Sequence, residues 1–239
     1  MRAKSFTIII SLLLLACGFA QPATASPSIR INASAGVSSE PLQHRYNMRL
    51  PQLTGAKPKA RKTFATIVSG IIQQELAFLV RWRNRYDPTP QCNNRTENSR
   101  LWARTRKGMV AGHYATAAIV VSTWPACGGV DQVNARTINL DTRTGKSLRL
   151  DRLIVRVDTY PVVSDYLSYG ARAISGKSCD AEMYKRPTLY NWVLKPRGIQ
   201  FWFDKYKVSA GYCGAVSITI PWRDLPLTSA GERLAAEVR

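Results

Sequence analysis

Between Thr63 and Arg83, apolar residues recur at three- and four-residue steps: Phe64, Ile67, Val68, Ile71, Ile72, Leu76, Leu79 and Val80. That spacing places them on one face of a helix, with Thr66, Ser69, Gln73, Gln74 and Arg81 on the other. The simplest role for the stripe is core. From Leu101 the period changes to two. "LWARTRKG" and "HYATAAIVVSTW" predict strands joined by a turn near Gly108, and "VNARTINLD" predicts another that ends in the tight turn "TRTGK". "SLRLDRLI" predicts a further short strand. "TYPVVSDYLSYG" predicts a helix after Pro161, and "KSCDAEMYKRPTLYN" a loop. "WVLKPRGIQFWF" predicts two strands around a Lys-Pro-Arg-Gly turn, "GAVSITIP" the last long strand, and the chain closes with a turn and a short helix. This order predicts an α+β fold: an antiparallel or mixed sheet packed against one long helix and one or two shorter ones.

The first 62 residues follow different rules. Arg2 and Lys4 precede an apolar run from Phe6 to Cys17 that is too short for a stable membrane span, and Ala23-Thr24-Ala25 supplies small residues for cleavage. Residues 1–25 are therefore expected to be an export signal, which predicts a periplasmic or secreted product. "LLAC" at Leu14–Cys17 gives an alternative, a lipoprotein box with Cys17 as the lipidated residue. Residues 26–62 contain "SAGVSSEPL" and "GAKPKARK" and predict a mostly flexible segment. Its exception is "HRYNMRLPQLTG", where Tyr46, Met48 and Leu50 alternate as in a short edge strand. Residues 63–239 are expected to form the α+β domain.

Charge adds a constraint on partners. The net charge is +19, and +17 remains without the signal's Arg2 and Lys4; Ser26–Val110 holds +11 of it. Such an excess speaks about partners and solubility rather than fold. Outside the cytoplasm the available polyanions are phosphorylated lipids, wall carboxylates, acidic polysaccharides and DNA. Solvated surface charge is the bland alternative.

Four cysteines follow the signal: Cys92, Cys127, Cys179 and Cys213. An even number in an oxidising compartment predicts two disulfides. Three pairings are possible; Cys92–Cys127 with Cys179–Cys213 is favoured because each pair lies within one half of the chain. The cysteines lack zinc-knuckle spacing and the histidines are only His44 and His113, so no metal or cofactor is expected.

Candidate binding chemistry lies in two places. In "RWRNRY", Arg81, Arg83 and Arg85 alternate with Trp82, Asn84 and Tyr86, an interleaving that can hold phosphates and stack on rings. The competing view is a helix end with snorkelling arginines. In the hairpin "GIQFWFDKYKVSAGYCGAVSITIP", Trp202, Tyr206 and Tyr212 are expected to be exposed, although core packing explains most of its alternation. Nucleic acid is disfavoured as a partner, because no nucleic-acid motif accompanies these residues. For catalysis, His113 sits at a strand start and is expected to be a satisfied structural histidine. Asp131, Asp141, Asp151 and Asp204 are the carboxylates available for glycosidic chemistry, with Asp141 better explained as a turn residue. No Gly-x-Ser-x-Gly, phosphate loop or dinucleotide fingerprint is present.

The final hairpin resembles the end of the RsiV-like domain, through Gly198, Phe203, Tyr206, Gly214, Ile218, Ile220, Pro221 and Leu225. Upstream, Gly128, Gly129, Asn139, Asp141, Thr144, Gly145, Lys146, Leu148 and Leu150 resemble the same family's central segment, and "LPQLTG" before a long helix resembles the N-terminal half of its peptidoglycan-deacetylase and anti-sigma members. Val130 and Asp131 stand where the family often has a histidine. The resemblance implies an exported or anchored envelope protein, one branch of which binds lysozyme. Charge and resemblance together lead to the expectation of a non-catalytic envelope-binding module for an anionic polymer or lipid. The alternatives are a lysozyme-like protein partner and an enzyme acting on wall glycan.

Overall fold

The computed structural model describes residues 26–39, 44–86, 99–126, 130–173, 178–181 and 189–239. Its strands are β1 (Ser28–Ser38), β2 (His44–Thr54), β3 (Ser99–Ala111), β4 (Tyr114–Trp124), β5 (Gln132–Asp141), β6 (Lys146–Ser147), β7 (Ala171–Ala173), β8 (Ser178–Cys179), β9 (Trp192–Lys195), β10 (Gly198–Phe203) and β11 (Val216–Pro221). Its helices are α1 (Pro58–Tyr86), α2 (Arg156–Ser168) and α3 (Ser229–Val238). The strands form two sheets, one in the order β1-β2-β3-β4-β5-β6 and the other β8-β7-β11-β10-β9. β2 and β3 run parallel because α1 carries the chain back between them. The other strand pairs are antiparallel, so the α+β class with a mixed sheet holds.

Three apolar clusters build the layers. α1 lays Phe64, Val68, Ile71, Ile72 and Leu79 on the inner face of the first sheet, against Leu101, Ala117, Ile119, Ile138 and Leu140. Val163 and Leu167 of α2, with Leu234 and Val238 of α3, pack on the far face of the second sheet against Phe201, Val216, Ile218 and Ile220. Between the sheets, Ala118, Val120, Val133 and Ala135 meet Val193, Trp202 and Ala215. Alanines on both sides let the two sheets approach, and the indole of Trp202 fills the space they leave.

A polar seam fixes the same contact. β9 is an edge strand of the second sheet, so one side of its backbone needs partners. The Trp192 N–H donates to Thr137 Oγ1 (3.1 Å), and the Leu194 N–H donates to Thr116 Oγ1 (3.3 Å). Asn139 Nδ2 donates to the Trp192 carbonyl (2.7 Å), while its Oδ1 accepts from Thr116 Oγ1 (2.6 Å). Three outward side chains of β4 and β5 thus satisfy the open edge of the other sheet.

Several expectations change. Residues 28–38 and 44–54 form two paired eleven-residue strands rather than one short edge strand, and β2 is flanked by β1 and β3. Gly108 lies inside β3, beside a register shift between Arg106 and Met109. A side chain there would meet Ile29 Cδ1 at 2.8 Å, so this glycine serves close approach of β1. The turn falls at Gly112, where φ is +55°. "SLRLDRLI" supplies Ser147 of the two-residue β6, a 3-10 turn, Leu150–Arg152, and an isolated bridge from Ile154 to Leu227. α2 begins five residues before Pro161 and accommodates it.

The Cys179–Cys213 disulfide is present, with Cα atoms 6.3 Å apart, and ties β8 to the β10–β11 connection. The signal segment, Cys17, Cys92 and Cys127 lie outside the described residues, and so does their expected pairing. Replacing Asn139 with alanine strands the Trp192 carbonyl and the Thr116 hydroxyl in a buried seam. Asn139→Ala is expected to lower stability by about 1–3 kcal/mol in urea denaturation. An unchanged midpoint would show that the seam contributes nothing to stability.

Candidate functional site

The second sheet rests on β4 and β5 and, among the described residues, leaves the outer face of β1, β2 and β3 uncovered. In β3, Leu101 and Ala103 point inward, so Arg100, Trp102 and Arg104 point out. Register aligns their neighbours into three rows across the sheet. The first row holds Val37, Arg45, Arg100 and Trp124; the second Ala35, Asn47, Trp102 and Ser122; the third Ala33, Arg49, Arg104 and Val120. The rows are therefore cationic, neutral and cationic. All four arginines are exposed, and Trp102 and Trp124 keep 47% and 48% of their surface in solvent.

The rows contain no carboxylate. Among the described residues, none of Arg45, Arg49, Arg100 and Arg104 has an ion-pair partner. Like charges side by side on neighbouring strands destabilise a sheet. Here, among the described residues, two such pairs stand without an acid to offset them. Arg106 follows in β3 at the margin of the covered area. Its Nε is buried without a hydrogen-bond partner, and burial together with the nearby Arg104 charge lowers its pKa. The face presents guanidinium forks suited to phosphate or carboxylate, indole rings suited to stacking, and an amide and a hydroxyl suited to polar groups between them.

The expected binding residues are dispersed. Arg81, Arg83 and Arg85 lie at the C-terminal end of α1. A helix advances about 100° per residue, so Arg83 faces away from Arg81 and Arg85, and the alternation builds no common surface. Trp202 corrects its expectation of exposure: it is 6% exposed and sealed between the two sheets. Tyr206 and Tyr212 are exposed, on the β10–β11 connection. Tyr206 adopts φ +67°, and Lys205 Nζ lies 5.0 Å from its ring centroid. β10 itself is buried on both faces, with Ile199, Phe201 and Phe203 on one and Trp202 on the other.

The catalytic candidates are engaged in structure. His113 is held at both ring nitrogens. Arg143 Nη2 donates to Nε2, which leaves the Nδ1–H to donate to Glu237 Oε1. Asp141 accepts from the Arg143 and Thr144 N–H groups, as expected of a turn residue. Asp131 pairs with Lys205 at 2.5 Å, and Asp151 with Arg149 on the surface. Asp204 accepts from the Ala135 N–H at 2.7 Å and from Arg136.

Arg136 also donates to Glu75 at 2.8 Å, which makes a chain Glu75–Arg136–Asp204 from α1 through β5 to the end of β10. Glu75 keeps only 4% of its side chain in solvent. Burial raises its pKa, partly opposed by Arg136 and by the Asn134 amide. Above it lies a cleft of about 390 Å³ lined by Gln74, Phe78, Arg81, Gln132 and Asn134. A second cleft, of about 500 Å³, lies beside Tyr166, Tyr169, Arg172 and Gln200. Sequence reasoning missed Glu75 and Arg136, because a lone acid in an apolar helix and a lone arginine in a strand carry no motif. It missed the sheet face for a different reason. "RLWARTR" and "RYNMR" each read as a strand, but their arginines become one surface only through β2–β3 pairing.

Solved structures share this architecture. The chain is similar to a DUF3298 family member from Bacteroides fragilis NCTC 9343, with 11% identity and a TM-score of 0.56 over 90% of this chain and 98% of that one. It is also similar to a DUF3298 family protein from Pseudomonas aeruginosa PAO1, with 12% identity and a TM-score of 0.53 over 87% of this chain and 97% of that one. No protein-family model matches the chain, and no curated protein does. At these identities the likeness defines the fold: a two-sheet α+β domain of the kind found in DUF3298 proteins.

Arg136→Ala tests the internal ion network. Because the folded-state pKa of Glu75 is raised, its contribution to stability is full below the ordinary carboxyl value and is lost as pH rises through the raised one. Removing Arg136 raises that value further and leaves a buried carboxylate unpaired. The variant is expected to lose about 3 kcal/mol in urea denaturation near pH 8. The loss should be smaller below the ordinary carboxyl pKa, where Glu75 is protonated. Equal losses at both pH values would show that Arg136 acts through packing instead.

Proposed function

We propose that this chain is an exported, non-catalytic cell-envelope module that binds an anionic wall or envelope component through the bare face of its first sheet. The observation that carries the reading is the pair of arginine rows, exposed, without an ion-pair partner among the described residues, and flanking Trp102. A folded protein gains nothing in stability from setting Arg45 against Arg100 and Arg49 against Arg104. An anion laid across the rows would turn that repulsion into charge-assisted hydrogen bonds. The excess charge of the chain works in the same direction, drawing the module to polyanions at long range.

Kinship with the RsiV-like branch belongs to this proposal and rests on the "DTRTGK" segment and the final hairpin. A basic lysozyme-like partner would be repelled by this face. Export rests on the N-terminal signal pattern.

The test is co-sedimentation with isolated envelope fragments and with purified peptidoglycan sacculi at low and high salt. Binding to at least one of them is expected at low salt and its loss near 1 M, where screening shortens to ~3 Å. Arg100→Gln combined with Arg104→Gln is expected to lower the bound fraction about tenfold at low salt. The triple change Arg81→Ala, Arg83→Ala, Arg85→Ala is expected to leave most binding intact. If the triple variant alone abolishes binding, the contact is the helix end; if nothing binds at either salt, the envelope reading fails.

A further inference from the structure

Resting on the reading above, we infer that the sheet face is built for a bisphosphorylated disaccharide headgroup, the polar end of an envelope glycolipid. The argument starts from the order of the rows. The cationic rows are four residues apart along β2 and β3, which is about 13 Å at about 3.3 Å per residue. Within each row the paired arginines sit on adjacent strands, about 4.8 Å apart. Each end of the site thus offers two guanidinium groups to one anion. A phosphate monoester carries about −1.5 to −2 charge at neutral pH and presents three acceptor oxygens, which matches two arginines better than a single carboxylate does.

The middle row decides against a regular polyanion. An acidic polysaccharide or a nucleic-acid strand carries a charge on every unit and would place an anion over the centre as well. The centre holds Asn47, Trp102 and Ser122, with no cation. An exposed indole there can receive the C–H face of a pyranose ring, and the flanking amide and hydroxyl can hydrogen-bond sugar hydroxyls. Two linked sugars with a phosphate at each outer end reproduce the order cation, ring, cation.

β1 supplies the remaining part. Its outward residues beside the rows are Ala33, Ala35 and Val37, an apolar strip at the sheet edge, with Val37 well exposed. Acyl chains leaving the sugar plane toward that edge would cover it. A polymer lacking such chains has no use for the strip.

The experiment is calorimetric titration of the purified protein with soluble, short-chain 1,4′-bisphosphorylated diglucosamine. Its two monophosphorylated forms and polygalacturonate serve as comparators, all near 0.15 M salt. The bisphosphorylated probe is expected to bind at least about tenfold more tightly than either monophosphorylated form. Arg45→Gln with Arg100→Gln should remove the advantage of one phosphate, and Arg49→Gln with Arg104→Gln that of the other. Trp102→Ala should weaken all three sugar probes with an unchanged melting temperature, since the ring is half exposed and packs in no core cluster. Equal affinity for mono- and bisphosphorylated probes, or polygalacturonate binding as tightly, would overturn the inference while leaving a general polyanion face. Failure of every anion to bind would overturn both readings.

Discussion

The docking of the second sheet on β4 and β5 sets everything else about this molecule. It is made by two kinds of contact at once. Ala118, Ala135 and Ala215 allow close approach around Trp202, and Thr116, Thr137 and Asn139 supply hydrogen bonds to the open edge of β9. The apolar part alone would tolerate sliding along the strands, because dispersion and hydrophobic burial have little direction. The edge hydrogen bonds do not tolerate it, since a shift of one residue would strand buried N–H and C=O groups. The two sheets are therefore registered, and the part of the first sheet left uncovered is fixed as well.

That uncovered part shows the opposite physics. β4 and β5 carry small apolar and hydroxyl residues outward because another sheet lies on them. β2 and β3 carry arginines outward, next to one another and without acids. The inner face of the same strands is ordinary core under α1. The Glu75–Arg136–Asp204 chain joins that helix, β5 and the end of β10, and it spends two of the chain's few acids inside the structure. Asp131 and Asp141 are likewise held by Lys205 and by turn N–H groups. These acids organise the fold, and Arg45, Arg49, Arg100 and Arg104 are left to the surface.

Where the local period is strong, the sequence suffices. The α1 stripe, β4, β5, the "TRTGK" turn and the closing strands stand where their patterns place them, because burial of one face imposes 3.6 or 2 on the chain. β1 has a period of two as well, but alanine, serine and glycine make the contrast weak, so turn-forming composition dominates its local signal. Gly108 predicts a turn locally and serves a close approach in the fold, because glycine marks both. The Cys179–Cys213 pairing was legible as one of three options, and a distance decided it.

The sequence by itself determined the class of fold, the basic excess and the alternation that turns Arg100, Trp102 and Arg104 to one side. Only the tertiary structure decided which side meets solvent. Trp202 and Trp102 both sit in strands with polar residues two positions to either side, yet one is sealed between sheets and the other lies open. Exposure depends on what another sheet covers, and that is set by contacts between residues far apart in the chain. The same holds for the rows: Arg45 and Arg100 are 55 positions apart, and only the parallel pairing of β2 with β3, enforced by the α1 crossover, makes them neighbours.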